Sequence, residues 1–127
     1  MSDNARAGPL TFSKARRLTS PSEFLRVKNE GRAQRGALLI LGVLDLQNDA
    51  PFRAGFVTSR RVGGAVVRNQ VRRRLREIVR RNQYAVRPGC WLVSIARPRA
   101  AGADYRTLEL EWLRLARCAG VLAPETI

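Results

Sequence analysis

The sequence predicts a single mixed α/β domain with the element order αββαβα, and three observations predict it. Runs rich in Leu, Ile and Val stand at 36–46 and 90–96 between turn residues, the pattern of buried strands. Three other segments, at 20–31, 65–83 and 104–119, carry apolar residues at three- and four-residue intervals, as amphipathic helices do. With 127 residues of which 45% are hydrophobic, the chain fits one domain with a real core.

Taken in order, residues 1–13 are small and polar apart from Leu10 and Phe12 and read as a flexible arm, which places the folded domain at 14–119 and a tail at 120–127. Ser20-Pro21-Ser22-Glu23 supplies a hydroxyl cap, a proline at the first helical position and an acid in the first turn, so a helix starts there and ends near Gly31. The run at 36–46 suits a strand in the sheet centre, and Asn48-Asp49-Ala50-Pro51 suits a turn. Residues 52–59 alternate, with Phe52, Ala54, Phe56 and Thr58 on one side; they are expected to form an antiparallel hairpin with the preceding strand. Gly63-Gly64 breaks that strand, and a helix follows from about 65 to 83. After Pro88-Gly89 comes a strand at 90–96, closed by Arg97-Pro98-Arg99; Asp104 then caps a last helix carrying Leu108, Trp112, Leu115 and Ala119. Trp91 and Trp112 both lie in apolar patterns and are expected in the core.

The formal charge of +14 points to a polyanionic partner: nucleic acid, an anionic membrane surface or an acidic protein. Much of it lies between Arg60 and Arg81, where Glu77 is the only acid. In the helix at 65–83, Val67, Val71, Leu75, Ile78 and Val79 form an apolar stripe that must face the sheet. The same spacing puts Asn69, Arg72, Arg73, Arg76 and Arg80 on the opposite side, with Arg68, Arg74 and Arg81 toward its margins. Solvated helix faces normally mix signs so that acids and bases pair; this one does not, and phosphate contact is the reading it supports. A membrane-surface role would require the apolar stripe to leave the sheet. Lysine occurs only at Lys14 and Lys28; a need for bidentate forks and a biased genome explain that preference equally well.

Phe24, taken alone, is a core residue; flanked by Arg26, Lys28, Arg32 and Arg35 it also suits stacking on an unpaired base, and both readings stand. Gly63-Gly64 at a helix start offers backbone amides to a phosphate, but a strand-to-helix turn explains the pair adequately. There is no histidine, and Cys90 and Cys118 are far apart without partners at ligand spacing, so no zinc site is expected and both cysteines read as reduced. The acids are scattered, which gives no convergent carboxylate set for two-metal hydrolysis. Catalytic residues are therefore not expected in the chain. No apolar segment of the signal-peptide kind lies near Met1, and the longest apolar run, 37–44, is far short of the roughly 18 residues of a membrane span. The expected compartment is the cytoplasm.

From Gly55 to Glu77 the chain reads GFVTSRRVGGAVVRNQVRRRLRE, which closely resembles the signature of the protein subunit of bacterial ribonuclease P. The likeness extends back through Pro21-Ser22-Glu23-Phe24 to Arg17-Leu18, and forward to Arg97-Pro98 and the closing helix. It implies an α/β (α+β) two-layer sandwich with a central mixed sheet and a left-handed βαβ crossover. It also implies two partners, a catalytic RNA subunit that performs Mg2+-dependent hydrolysis and the precursor tRNA whose 5′ leader is removed. By position, Arg68, Asn69, Arg72, Arg73 and Arg76 match the motif facing the catalytic RNA, Arg60 and Arg61 its adjoining basic pair, and Phe24 an aromatic of the leader cleft. The chain departs from the family pattern at Gln70, where a second arginine is usual, and at Lys28 and Gly42, where further aromatics stand in relatives. A structural ribosomal RNA-binding protein is the alternative with the same basic α/β composition.

Overall fold

The computed structural model describes residues 14–122; the expected arm at 1–13 and the end of the tail, 123–127, lie outside it. Helix α1 (Pro21–Glu30) begins with a complete capping box, in which the Ser20 hydroxyl accepts the Glu23 N–H at 3.3 Å and the Glu23 carboxylate accepts the Ser20 N–H at 3.2 Å. Strands β1 (Arg32–Arg35), β2 (Leu39–Asp45) and β3 (Arg53–Val57) follow, then α2 (Ala65–Asn82), β4 (Cys90–Ala96) and α3 (Tyr105–Cys118). Asp104 caps α3 by accepting the Thr107 N–H at 2.8 Å.

The four strands form one mixed sheet in the order β1-β2-β4-β3. Strand β2 runs antiparallel to both β1 and β4, while β3 and β4 are parallel and joined through α2. The expected hairpin between 36–46 and 52–59 is therefore not formed. Strand β4 is buried along nearly its whole length and needs a neighbour on each side, so it takes the place between β2 and β3. The connection after β2 crosses the start of β4, where Leu46 N–H donates to Gly89 O and Gly89 N–H donates to Ala50 O. Asn48 still makes its local turn, accepting the Ala50 N–H at 3.0 Å, but that turn redirects a crossing loop.

Strand β1 is absent from the sequence-based order. Its residues, Arg32-Ala33-Gln34-Arg35, show no apolar alternation because β1 is an exposed edge, and charge on an edge strand keeps it from pairing with other chains.

Helices α2 and α3 cover one face of the sheet. Val71, Leu75, Ile78 and Val79 of α2 and Leu108, Trp112, Leu115 and Ala116 of α3 meet Leu39, Leu41 and Val43 of β2 and Leu92 of β4. Trp112 is fully buried, and its indole N–H donates to Ser94 Oγ at 3.1 Å; left unpaired there it would cost about 1–3 kcal/mol. The packed chain continues past Ala119 to Val121, also fully buried, and Leu122, which bridges to Val86.

On the other face α1 lies across β2 and β4, held by Val27 against Leu44 and Val93. Trp91 stands on this outer face rather than in the main core. It is only partly buried, with the guanidiniums of Arg26 and Arg53 at 5.5 Å and 5.4 Å from its ring centroid. The apolar pattern of β4 could not reveal which of its two faces a helix leaves partly open.

Candidate nucleic-acid interface

The serine-capped turn Arg60–Val62 precedes α2, and Gly63, at φ 151°, takes a backbone conformation that side chains disfavour. A side chain at Gly63 would also stand 3.1 Å from Val67. The turn leaves Arg60 and Arg61 exposed, and from Ala65 the helix keeps its apolar stripe on the sheet, which turns Asn69, Gln70 and Arg73 into solvent.

The other basic side chains of α2 separate into two groups. Arg74 donates to Ala103 O at 3.1 Å, Arg80 pairs with Glu77, and Arg81 lies 6.0 Å from the Tyr105 ring. The Arg80 contact holds the Glu77 carboxyl below its ordinary range and raises the guanidinium. Arg80 is thus partly neutralised within its own helix.

Arg68, Arg72 and Arg76 have no carboxylate against them in the ion pairs of the described residues. Arg72 is fixed by Thr58 Oγ1 at 2.6 Å and Asn69 Oδ1 at 3.1 Å, which preorganises the guanidinium without discharging it. Arg68 buries its Nε without a hydrogen-bond partner. Arg76 is half-buried; its desolvation and the charges of Arg17, Arg72 and Arg73 press its pKa below the ordinary arginine value. Burying charge among like charges is unfavourable unless an anion completes the cluster. Arg17 reaches it from the chain before α1, because Leu18 N–H bonds Ala54 O on the β3 edge. Sequence reasoning about α2 alone could not include Arg17, since a tertiary contact brings it there.

A second concavity opens on the outer face of the sheet beside α1, with a volume of about 630 Å³. Phe24, Leu25 and Lys28 of α1 form one wall, Arg35 and Ile40 of the β1–β2 hairpin another, and Ile95 part of the floor. The Phe24 ring rests directly on Gly55: a Cβ there would lie 2.5 Å from the ring. Both sequence readings of Phe24 are thus compatible with its place, since it packs on the sheet and also lines the groove. Gly42 allows α1 to sit down on β2, because a Cβ would already stand 3.3 Å from Val27. Lys28 is exposed at the rim.

Three of the carboxylates nearest the groove and the sheet are engaged by the chain itself. Glu23 pairs with Arg53 at 2.7 Å, Asp45 is clamped between Arg32 and Arg87, and Glu111 accepts the Leu38 and Leu39 N–H groups at 2.7 and 2.8 Å. Among the described residues no three potential metal ligands converge, and no helix is long and apolar enough to cross a membrane. Cys90 is buried, which pushes its thiol up to about 11, whereas Cys118 is exposed.

A four-stranded α+β domain with a preorganised arginine row, free of carboxylate partners at Arg68, Arg72 and Arg76 in the ion pairs of the described residues, and an apolar-lined groove on the other face of the sheet has the surfaces of a polyanion-binding protein. The ribonuclease P family model matches residues 12–120. The ribonuclease P protein component of Roseiflexus castenholzii is 38% identical over 112 residues, covering 87% of this chain and 91% of that protein. The RNase P protein of Thermotoga maritima superposes with a TM-score of 0.71 at 29% identity, covering 80% of this chain and 96% of that one. That of Staphylococcus aureus, at 22% identity, shares the fold with a TM-score of 0.79 over 86% of this chain and 99% of its own. The chain belongs to the ribonuclease P protein family, the protein component of a tRNA-processing ribonucleoprotein.

Proposed function

We propose that the two surfaces bind two RNAs: the arginine face of α2 docks the catalytic RNA subunit, and the groove beside α1 receives the single-stranded 5′ leader of precursor tRNA. The observation that carries this reading is Arg76, half-buried beside Arg17, Arg72 and Arg73 and without a carboxylate in the ion pairs of the described residues. A phosphate placed there gains charge-assisted hydrogen bonds from guanidiniums already fixed in position, and releases condensed counterions as it binds. Arg60 and Arg61 extend the same surface toward the start of α2, and Arg68, Asn69, Gln70, Arg73 and Arg80 border it.

The groove suits a different ligand. Its apolar floor and the Phe24 edge accept unpaired bases, while Lys28 and Arg35 at the rim meet the leader's phosphates. With no cluster of potential metal ligands among its described residues, the chain positions substrate, and hydrolysis falls to the RNA subunit using Mg2+ held by RNA and substrate. The cytoplasm, where precursor tRNA is found, is the compartment this role requires.

Reconstitution tests the reading. Purified RNA-free protein should not cleave precursor tRNA, and its addition to the catalytic RNA should restore cleavage at low Mg2+. Efficient cleavage by the protein alone, or no effect on the RNA's Mg2+ requirement, would overturn it.

A further inference from the structure

The arginine row of α2 does not stop at charge. Arg72, Arg76 and Arg80 recur at four-residue intervals, and the next position in that row is Tyr84, in the short turn Gln83–Ala85 that prolongs the helix. Tyr84 is 65% exposed, one of the few large apolar side chains of the described residues turned to solvent. It forms a wall of a second, smaller cleft of about 270 Å³, whose floor includes Pro51, Phe52 and Pro88. Arg16 lies over the Phe52 ring at 5.0 Å and forms the side nearest Arg17, which belongs to the arginine cluster around Arg76. The cleft and the cluster thus hold consecutive residues of the chain, Arg16 and Arg17.

Three aspects of this cleft make it a poor phosphate site. It adjoins the C-terminal end of α2, where the helix dipole disfavours anions. Asp49 stands on its wall and repels them. Apart from Arg16, Asp49 and Gln83 its lining is apolar and aromatic, which phosphate does not need. The same three suit a neutral, flat, hydrogen-bonding ring: Tyr84 offers a stacking surface, Asp49 an acceptor and Arg16 a donor for the ring's edge.

We propose that this cleft takes an unpaired nucleobase, splayed out of the RNA whose backbone lies along the arginine row of α2. From Arg72 to Arg80 the row spans about 12 Å at the rise of an α-helix, and Tyr84 follows in the turn beyond the end of α2. The base pocket at its end gives the interface a register that phosphate contacts alone do not provide. The inference rests on the reading that α2 docks the catalytic RNA.

Affinity of the full-length chain for that RNA, measured across a range of salt for wild type, Tyr84→Ala, Tyr84→Trp and Arg76→Ala, separates the two. Loss of one stacked base in Tyr84→Ala should weaken binding by about 5- to 100-fold with the salt slope unchanged, and Tyr84→Trp should restore it. Chemical probing should show one RNA nucleotide that wild type and Tyr84→Trp protect and Tyr84→Ala leaves reactive. Tyr84 is exposed, so the variants should keep the wild-type melting temperature. Wild-type affinity in Tyr84→Ala beside weakened Arg76→Ala overturns the base pocket and leaves RNA docking standing. A loss in Tyr84→Ala that Tyr84→Trp fails to restore also overturns stacking. Failure of wild type to bind the RNA, or indifference to Arg76→Ala, overturns the docking reading itself.

Discussion

The arginine face of α2 and the groove beside α1 lie at different surfaces of the same sheet and are built on opposite principles. On α2 the guanidiniums are held in place by neutral oxygens, as Arg72 is by Thr58 and Asn69, so that their charge stays available. Around α1 part of the charge is spent internally, leaving Lys28 and Arg35 at the rim: Glu23 closes the capping box and pairs with Arg53, and Arg53 in turn lies over Trp91. What remains open there is mostly apolar, with Phe24 laid on Gly55. One surface is thus electrostatic and sensitive to salt; the other depends on shape and stacking, and salt should affect it far less. On the proposed reading, this contrast separates affinity for RNA in general from selection of an unpaired strand.

The largest effect should come from breaking the electrostatic side. Replacing Arg72 and Arg76 together by alanine should cost about ten- to a hundredfold in affinity for the catalytic RNA and flatten the dependence of log affinity on log salt by about 1.4–1.8. Binding of the leader strand in the groove should survive, as measured with a single-stranded leader oligonucleotide.

Next in size is a steric break of the other side. In Gly55→Val the new side chain would enter the Phe24 ring, which should lower stability by about 1–3 kcal/mol in thermal or denaturant melts. The arginine face, which rests on the opposite side of the sheet, should keep its salt slope in the molecules that fold.

A milder change sharpens the division. Phe24→Ala should weaken precursor tRNA binding by about fivefold or more where a leader is present, and leave mature tRNA and catalytic-RNA binding unchanged. Equal losses with and without a leader would remove Phe24 from the leader site.

The smallest effect concerns acid. Burial raises the Glu23 pKa, but Arg53 and the Ser20 and Thr19 N–H groups outweigh it, so the folded carboxyl titrates below its ordinary 4.5. Its contribution to holding α1 is fully present above that ordinary value and is lost as pH falls through the lowered folded one. Trp91 fluorescence should report a loosening of α1 as pH falls below the ordinary carboxylate range, and Glu23→Gln should remove that response.

Much of this was legible in the residues. The spacing at 65–83 located α2 to within a residue of its end, the run at 90–96 coincided with β4, and Ser20 and Asp104 marked their helices. These are local signals, set by period and caps. Strand β1 escaped because an edge strand of arginines and glutamine has no buried face to impose a pattern. Strand β3 was recognised as a strand but assigned the wrong neighbour, since alternation reports the buried face and not the partner. The same limit applied to the site. The row along α2 was visible, but the arrival of Arg17 beside Arg76 and the seat of Phe24 on Gly55 depend on tertiary contacts. Arg80 looked like part of the open charge until Glu77 was placed against it.

The central position of β4 also has a consequence for how the molecule comes into being. Until residues 90–96 leave the ribosome, β2 has only the edge strand β1 beside it and β3 has only the short bridge from Arg17 to Ala54. The growing chain must carry Leu39, Leu41, Val43 and the stripe of α2 without their shared core, next to a helix that repels itself. Such non-local closure slows folding and leaves apolar surface open to aggregation. An RNA already present could neutralise α2 at that moment, so that the ligand of the finished protein would also act as a chaperone of its birth, raising its yield of soluble chain during synthesis.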